Sequence, residues 1–150
     1  MEPLPILLAE DNEDDVFLLQ RAMTKARVTN PVQVVGDGEQ VLAYLRGEGV
    51  YGDRKKYPFP VLLLLDIKMP KMNGLEVLSE VREDPLLRRL VVIVLSSSNQ
   101  QRDIDQAFDL RVNSYLVKPS GTDGMTNIFQ KVKNYWLTLN QYPHGPARAA

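Results

Sequence analysis

The chain contains no cysteine and a single histidine among its 150 residues. The lack of cysteine excludes disulfide bonds and thiolate metal sites. The one histidine, His144, lies in the proline- and glycine-rich segment 142–146, so Ser-His-Asp, Cys-His and multi-histidine chemistry is not expected. Any chemistry in this protein must therefore use carboxylates, hydroxyls and lysines.

An excess of basic residues and a long apolar run are also missing. Lys and Arg number 18 against 19 Asp and Glu, which gives a net charge of -1 with both signs interspersed. This balance provides no basic face for nucleic acid and no polybasic segment for a membrane surface. There is also no signal-type amino terminus and no apolar span long enough to cross a bilayer. We therefore expect a cytoplasmic, soluble protein that binds neither nucleic acid nor membrane.

What the sequence does contain is a regular alternation of short apolar runs and segments with helical periodicity. The apolar runs predict five strands, at residues 6–9, 32–36, 61–66, 90–95 and 115–117. The third run has no polar alternation, which is typical of a strand buried on both faces of a parallel sheet. Five βα units are too few to close a barrel. The pattern therefore predicts an α/β fold with a doubly wound, five-stranded parallel sheet of flavodoxin-like order 2-1-3-4-5.

Asp66 directly follows the third apolar run, which places its carboxylate at a strand tip. Ligands of such sheets gather beyond the carboxyl ends of the strands, and this favours a functional acid. An aspartate ahead of a turn that contains Pro70 and the pair Asn73-Gly74 is equally suited to capping that turn. The residues around Asp66 leave both interpretations open, and the other strand tips must decide between them.

The first strand also ends in acids, with five carboxylates in residues 10–15. Asn12 is placed to cap the first helix, so the acids at 13–15 fall in its first turn, where they stabilise the positive end of the helix dipole. We expect no further role for these three. Glu10 and Asp11 precede the cap and belong to the strand tip.

Glu10 and Asp11 are expected beside Asp66, because strands one and three are neighbours in the predicted sheet order. Three like charges in one crevice are costly unless a cation neutralises them. Oxygen ligands with room for water suit a hard divalent ion such as Mg²⁺ better than a transition metal. The sequence therefore predicts a Mg²⁺ site formed by carboxylates.

The fourth and fifth strands end in a hydroxyl and an ammonium group, at Ser96 and Lys118. Taken singly, Ser96 could be a helix cap and Lys118 an ordinary surface lysine. Beside the acids, they form a set in which the metal-bound carboxylate of Asp66 is a nucleophile and the other two are donors for an incoming phosphoryl group. The strand tips together predict a phosphoryl acceptor.

These residues resemble the receiver domain of bacterial two-component response regulators. The resemblance covers residues 5 to about 140 and rests on Glu10-Asp11, Asp66 with Met69-Pro70 and Gly74, Ser96 thirty positions after Asp66, and Lys118-Pro119 fifty-two after it. It implies a protein that signals through phosphorylation-dependent contacts made by the fourth helix, fifth strand and fifth helix.

The same resemblance implies a role for each site residue. Asp66 would accept a phosphoryl group from a histidine kinase, and Ser96 and Lys118 would ligate its oxygens. Tyr115, three residues before Lys118, would be a switch aromatic that turns inward on phosphorylation, although plain core packing is an alternative. The implied Mg²⁺ ligands are Asp11, Asp66 and the backbone carbonyl of Lys68, with Glu10 acting through water.

Three positions depart from the commonest receiver pattern or fall where it varies. Arg111 stands near the place where the family usually has glycine, which leaves the shape of the loop before the fifth strand open. Lys68 and Ser98 each follow a site residue by two, where side chains overhang the phosphoryl group. We expect them to affect its lifetime, with slow self-dephosphorylation in place of enzymatic turnover.

The last helix carries an apolar stripe of about 15 residues, roughly 22 Å at 1.5 Å per residue, so its last turn should overhang a strand of about 17 to 20 Å. Its end could close the core over the first helix or form a homodimer or kinase contact. The stripe consists of Met125, Ile128, Phe129, Val132, Tyr135, Trp136 and Leu139.

Residues 135–139, with the long loop before the third strand, resemble single-domain regulators paired with phytochrome histidine kinases. This narrower resemblance implies a bacteriophytochrome as kinase and a homodimer through the last helix.

We expect residues 1–140 to form the receiver domain and residues 141–150 to be a disordered tail, which leaves no output domain and predicts a stand-alone regulator. Two other interpretations were open. A phosphatase of the haloacid dehalogenase type uses a second acid two residues after its nucleophile, where this chain has Lys68. A receiver that binds partners without phosphorylation would not require the complete set of acid, hydroxyl and lysine.

Overall fold

A computed structural model describes residues 3–146 and contains five strands that alternate with five helices. The strands are β1 (Ile6–Ala9), β2 (Val32–Val35), β3 (Leu62–Leu65), β4 (Val91–Ser96) and β5 (Ser114–Val117). The helices are α1 (Glu13–Lys25), α2 (Gly38–Arg46), α3 (Gly74–Glu83), α4 (Gln101–Asp109) and α5 (Thr122–Asn134). A short 3₁₀ helix, Gly49–Gly52, lies between α2 and β3. Each strand boundary lies within one residue of the predicted one.

All five strands are parallel and follow the order β2-β1-β3-β4-β5. The apolar residues of the three central strands alternate between two cores. Leu7, Leu63 and Val92 face the core under α2, α3 and α4, whereas Leu8 and Leu64 face the core under α1 and α5. Because both faces are covered, the continuous apolar runs are explained, and the predicted doubly wound α/β fold is confirmed.

Polar side chains in the loops that follow three of the strands cap the next helices. Asn12, Asp37 and Asn73 each accept a hydrogen bond from the backbone N–H three residues further on, at 3.0, 2.8 and 3.0 Å. Such caps satisfy helix N–H groups that have no partner within the helix. The caps therefore make the chain turn from strand into helix at the carboxyl edge of the sheet.

Arg111 adopts the left-handed conformation, with φ of 65°, in the loop before β5. Its N–H donates to the carbonyl of Phe108 at 2.9 Å, and the N–H of Val112 donates to that of Ala107 at 3.0 Å. The loop thus makes a compact helix end with an arginine where glycine would be unstrained. The conformation costs about 1–2 kcal/mol in a residue that carries a Cβ.

The end of the last helix differs from the predicted unbroken stripe. After α5 the backbone widens into a π-helical turn, Tyr135–Leu139, in which the N–H of Asn140 donates to the carbonyl of Tyr135 at 2.8 Å. The wider turn changes the direction of the side chains. Trp136 packs on the core beside α1, but Tyr135 and Leu139 are 50% and 68% exposed. The core interpretation is therefore correct for Trp136 and wrong for Tyr135 and Leu139.

The described part of the carboxyl-terminal segment folds back on the domain. The hydroxyl of Tyr142 donates to the carbonyl of Trp136 at 2.5 Å, and its ring packs on the core beside α1. Residues 147–150 lie outside the described residues, so the predicted disorder of the tail stays a prediction.

Candidate functional site

Three carboxylates meet at the carboxyl edge of the sheet. Glu10 and Asp11 follow β1 and Asp66 follows β3, and one oxygen from each of the three lies within 4.8 Å of the others. The pairing of β1 with β3 brings the three acids together. The N–H of Asp66 continues this pairing beyond β3 by donating a hydrogen bond to the carbonyl of Ala9 at 3.1 Å. Glu10 and Asp66 are buried, whereas Asp11 is exposed. The predicted clustering of the three acids is therefore present in the structure.

Lys118 brings a positive charge into this cluster from the tip of β5. Its backbone N–H donates to the carbonyl of Ser96 at 2.8 Å, and its side chain is 11% exposed. The ammonium contacts the carboxylate of Glu10 and lies 3.5 Å from Oδ2 of Asp66. It offsets part of the repulsion among the acids and leaves the cluster with an excess of negative charge.

Burial and charge act on the pKa values of this pair. Burial raises the pKa of the Glu10 carboxyl, and the hydrogen bond with Lys118 opposes that shift. Burial alone would lower the pKa of Lys118, but the hydrogen bond with Glu10 and the charge of Asp66 raise it above its ordinary value. Lys118 therefore stays protonated at neutral pH.

The segment after β3 orients Asp66. Its Oδ1 accepts a hydrogen bond from the N–H of Lys68 at 3.2 Å, while Oδ2 faces Lys118. The segment ends at Gly74, where a Cβ atom would come within 2.3 Å of the Asp66 carbonyl oxygen. This close approach requires glycine at the start of α3. The side chain of Lys68 is exposed, and the use of its carbonyl as a metal ligand stays a prediction.

Ser96, the last residue of β4, is joined to Lys118 of the cluster through the backbone and begins the loop before α4. It is fully buried, and its Oγ accepts a hydrogen bond from the N–H of Ser98 at 3.2 Å. The hydroxyl of Ser98 donates to Asp103 in α4. The hydroxyl of Tyr115 donates to the Ser98 carbonyl at 2.9 Å and also interacts with Ser96. One network thus joins the site to α4 and β5.

Tyr115 is half-buried, and its ring packs on the core under α2, α3 and α4. Burial raises the pKa of its phenol, although hydrogen bonds with Ser98 and Ser96 oppose the shift. Tyr115 therefore both packs on the core and contacts the residues of the site. Its movement on phosphorylation stays a prediction.

Two residues near the site were not expected from the sequence. Asp15 was assigned to the helix start alone, but its Oδ2 lies 3.4 Å from the ammonium of Lys118. Asp15 lies three residues after the Asn12 cap, on the helical turn nearest the strand tips, and this position could have indicated a contact with the site. Asp103 was not singled out, because its contact with Ser98 depends on the path of the loop before α4.

The profile described as the response regulator receiver domain matches residues 6–130. The chain belongs to this family. Phosphorylation on an aspartate is typical of the family, whose members are regulators and not conventional enzymes. The prediction of a receiver domain is thereby confirmed. Among residues 3–146, no helix has the length and apolar character needed to span a membrane.

Several relatives share nearly the whole length of this receiver domain. The probable methanogenesis regulatory protein FilR2 of Methanothrix harundinacea is 38% identical over 97% of this chain and 91% of its own. The response regulator Rcp1 of Synechocystis sp. is 33% identical over 94% of each chain. The phosphorylated cyanobacterial phytochrome response regulator RcpA has a TM-score of 0.86 at 38% identity, over 95% of this chain and 99% of that chain. The predicted likeness to phytochrome-associated regulators is confirmed.

The donor set of the acidic cluster fits a divalent cation. All three side chains offer hard oxygen ligands, and none offers nitrogen or sulfur. The family binds Mg²⁺ or Mn²⁺ at its acidic pocket. A Mn²⁺-bound form of Rcp1 has a TM-score of 0.83 at 32% identity, over 95% of this chain and 100% of that chain. Glu10, Asp11 and Asp66 are the residues of this receiver domain that would hold the ion.

We predict that Mn²⁺ raises the melting temperature of the protein and that Asp11→Asn removes most of the rise. An ion at a hundred times its Kd stabilises the folded state by about 2.7 kcal/mol, or about 5–10 °C in a domain of this size. Differential scanning calorimetry at constant ionic strength measures the shift. Asp14→Asn, an exposed acid of α1, is the matched control and should keep the full rise. An equal loss in both variants would contradict a site at the cluster.

Proposed function

We propose that Asp66 accepts a phosphoryl group from a histidine kinase, with Mg²⁺ held by Glu10, Asp11, Asp66 and the carbonyl of Lys68. The observation that supports this most strongly is the contact of one Asp66 oxygen with Lys118 inside the three-acid cluster. That arrangement offers a nucleophilic oxygen next to a fixed positive charge. When bound, Mg²⁺ supplies further positive charge against the charge that develops on the phosphoryl oxygens.

The chain's own residues carry the rest of the transfer. A carboxylate oxygen of Asp66 attacks phosphorus, and an O–P bond forms while the P–N bond to the kinase imidazole breaks. The imidazole leaves with the electron pair and takes up a proton. The side chain of Asp66 changes from one negative charge to about two, so Lys118 and Ser96 gain stronger acceptors for their hydrogen bonds.

The reorientation of Ser96 is the step that carries the signal outward. Its Oγ is bonded to the N–H of Ser98, and the Ser98 carbonyl accepts from Tyr115. If Ser96 turns to the phosphoryl group, the Ser98 N–H loses its acceptor and the contacts of Tyr115 change with it. Phosphorylation then alters the surface formed by α4, β5 and α5, where protein partners bind.

We predict that Asp66→Asn takes up no phosphoryl group from acetyl phosphate with Mg²⁺, because the amide is not a nucleophile. Intact-mass spectrometry detects the added group, and circular dichroism checks that the nearly isosteric variant is folded. Asp14→Asn should be labelled like the unchanged protein. Normal labelling of Asp66→Asn would contradict the assignment.

We propose a phytochrome histidine kinase as the phosphoryl donor and the cytoplasm as the place of the reaction. The likeness to RcpA and Rcp1 supports this donor. In the same mass assay, a phosphorylated phytochrome kinase should transfer its group to Asp66 faster than an unrelated histidine kinase does. Equal rates from both would contradict a phytochrome partner.

We predict that Lys68→Ala shortens the lifetime of the phosphorylated form by up to about fivefold, the equivalent of about 1 kcal/mol for an exposed charged side chain. The side chain would shield the acyl phosphate, which otherwise hydrolyses slowly, from water. Decay of the phosphorylated mass after removal of acetyl phosphate measures the lifetime. Lys71→Ala, in the same loop but 3.7 Å from Asp37, is the control. An unchanged lifetime in Lys68→Ala would show that the side chain does not cover the site.

We also propose that a second copy of the chain packs against Tyr135 and Leu139, giving a homodimer through the end of the last helix. The two exposed apolar side chains, at the first and last positions of the π-helical turn, support this contact. We predict that Leu139→Asp converts a dimer to a monomer in sedimentation equilibrium, because a buried carboxylate would have no partner. Leu86→Asp, which changes an exposed leucine of another loop, should remain dimeric. A monomeric unchanged protein at high micromolar concentration would contradict this proposal.

A further inference from the structure

Arg82, near the end of α3, is a buried arginine without an acidic partner. It is 8% exposed. Its guanidinium donates four hydrogen bonds, to the carbonyls of Arg88, Leu90 and Arg111 and to Oδ1 of Asn113, at 2.7–3.0 Å. All four acceptors are neutral. A buried charge is costly unless an opposite charge compensates it.

The surroundings of Arg82 add positive charge. Arg82, Arg88, Arg89 and Arg111 line one pocket of about 350 Å³, together with Leu90 and Asn113. Within residues 3–146, none of the four arginines has a carboxylate oxygen within 4.0 Å. Burial lowers the pKa of Arg82, and the charge of Arg111 lowers it further. The described chain therefore gathers four guanidinium groups without supplying their counter-charge.

The geometry of the pocket favours an oxyanion over a halide. Arg82 is fixed by its four hydrogen bonds, and one of the five N–H groups of a guanidinium, on Nη2, is left over. Arg111 lies in the left-handed region, and its carbonyl holds Arg82 while its side chain lines the pocket. Planar guanidinium forks match phosphate oxygens with paired hydrogen bonds.

We propose that this arginine pocket binds a phosphate group, either as free phosphate or as the monoester of a small metabolite. The pocket lies at the amino-terminal end of β4, and Ser96 lies at the other end of that strand. At about 3.3 Å per residue, the five steps from Val91 to Ser96 along β4 separate the two by about 17 Å. This anion site is distinct from the acidic cluster and independent of phosphorylation at Asp66.

The test uses Arg111→Gly and inorganic phosphate. Glycine adopts a φ of 65° without strain, so the variant should fold at least as well as the unchanged protein while it lacks one guanidinium. Arg27→Gly is the matched control, since Arg27 also has a positive φ, of 62°, and lies outside the pocket. Isothermal titration with phosphate, at constant ionic strength and without divalent ions, measures Kd for the three proteins.

We predict that phosphate binds the unchanged protein and Arg27→Gly equally and that Arg111→Gly weakens Kd by at least about tenfold, as expected for a lost hydrogen bond between charged groups. Adenosine monophosphate is titrated beside phosphate. Tighter binding of the nucleotide identifies a monoester as the ligand, and equal binding identifies the free anion. The proposal is overturned if no phosphate binds, or if Arg111→Gly binds it as well as Arg27→Gly does.

Discussion

The ammonium of Lys118 is the interaction on which the functional end of this molecule depends. It contacts Glu10 after β1, Asp15 in α1 and Asp66 after β3, and its own backbone is bonded to Ser96 of β4. Residues after β1, in α1 and after β3 therefore meet at the one charge that follows β5, and β4 is joined to the same residue through the backbone. Without it, three carboxylates within 4.8 Å would repel one another in a partly buried crevice. The fold brings the acids together, and the lysine reduces the electrostatic repulsion among them.

The same contact sets the reactivity of the site. Three acids, Glu10, Asp15 and Asp66, contact one ammonium, and Asp11 adds a further negative charge to the cluster. The neutralisation is therefore incomplete, and a divalent cation fits the remaining charge. Because Lys118 already lies 3.5 Å from Asp66, it does not need to cross the site to meet a phosphoryl oxygen. The positive charge is in place before the reaction, which is the condition for electrostatic stabilisation without reorganisation. The proposed role of Asp66 as an acceptor rests on this arrangement more than on its place at a strand tip.

Most of the fold and of the acidic cluster could be predicted because both depend on position along strands. An apolar run such as Leu62–Leu65 can be seen in the sequence, and parallel strands carry their last residues to one edge. Contacts that depend on loop paths could not be predicted. The environment of Arg82 is an example, since its acceptors come from two loops and a charged residue in a helix is expected at the surface. The π-helical turn was missed because a side-chain stripe does not reveal a change of backbone hydrogen bonding at Tyr135.

Relatives whose names give different roles are similar to this chain over nearly its whole length, and this bears on where specificity can reside. FilR2 is named as a probable methanogenesis regulator and RcpA as a phytochrome response regulator, and each is 38% identical to this chain. The chemistry proposed for the acids, hydroxyl and lysine at the strand tips is the phosphorylation typical of the whole family, so these residues would not distinguish one kinase from another. We expect that distinction to come from surfaces around this edge of the sheet, such as the exposed end of the last helix at Tyr135 and Leu139. On the proposed function, the site accounts for the reaction, and the surfaces away from it are where the choice of partner proteins is expected to lie.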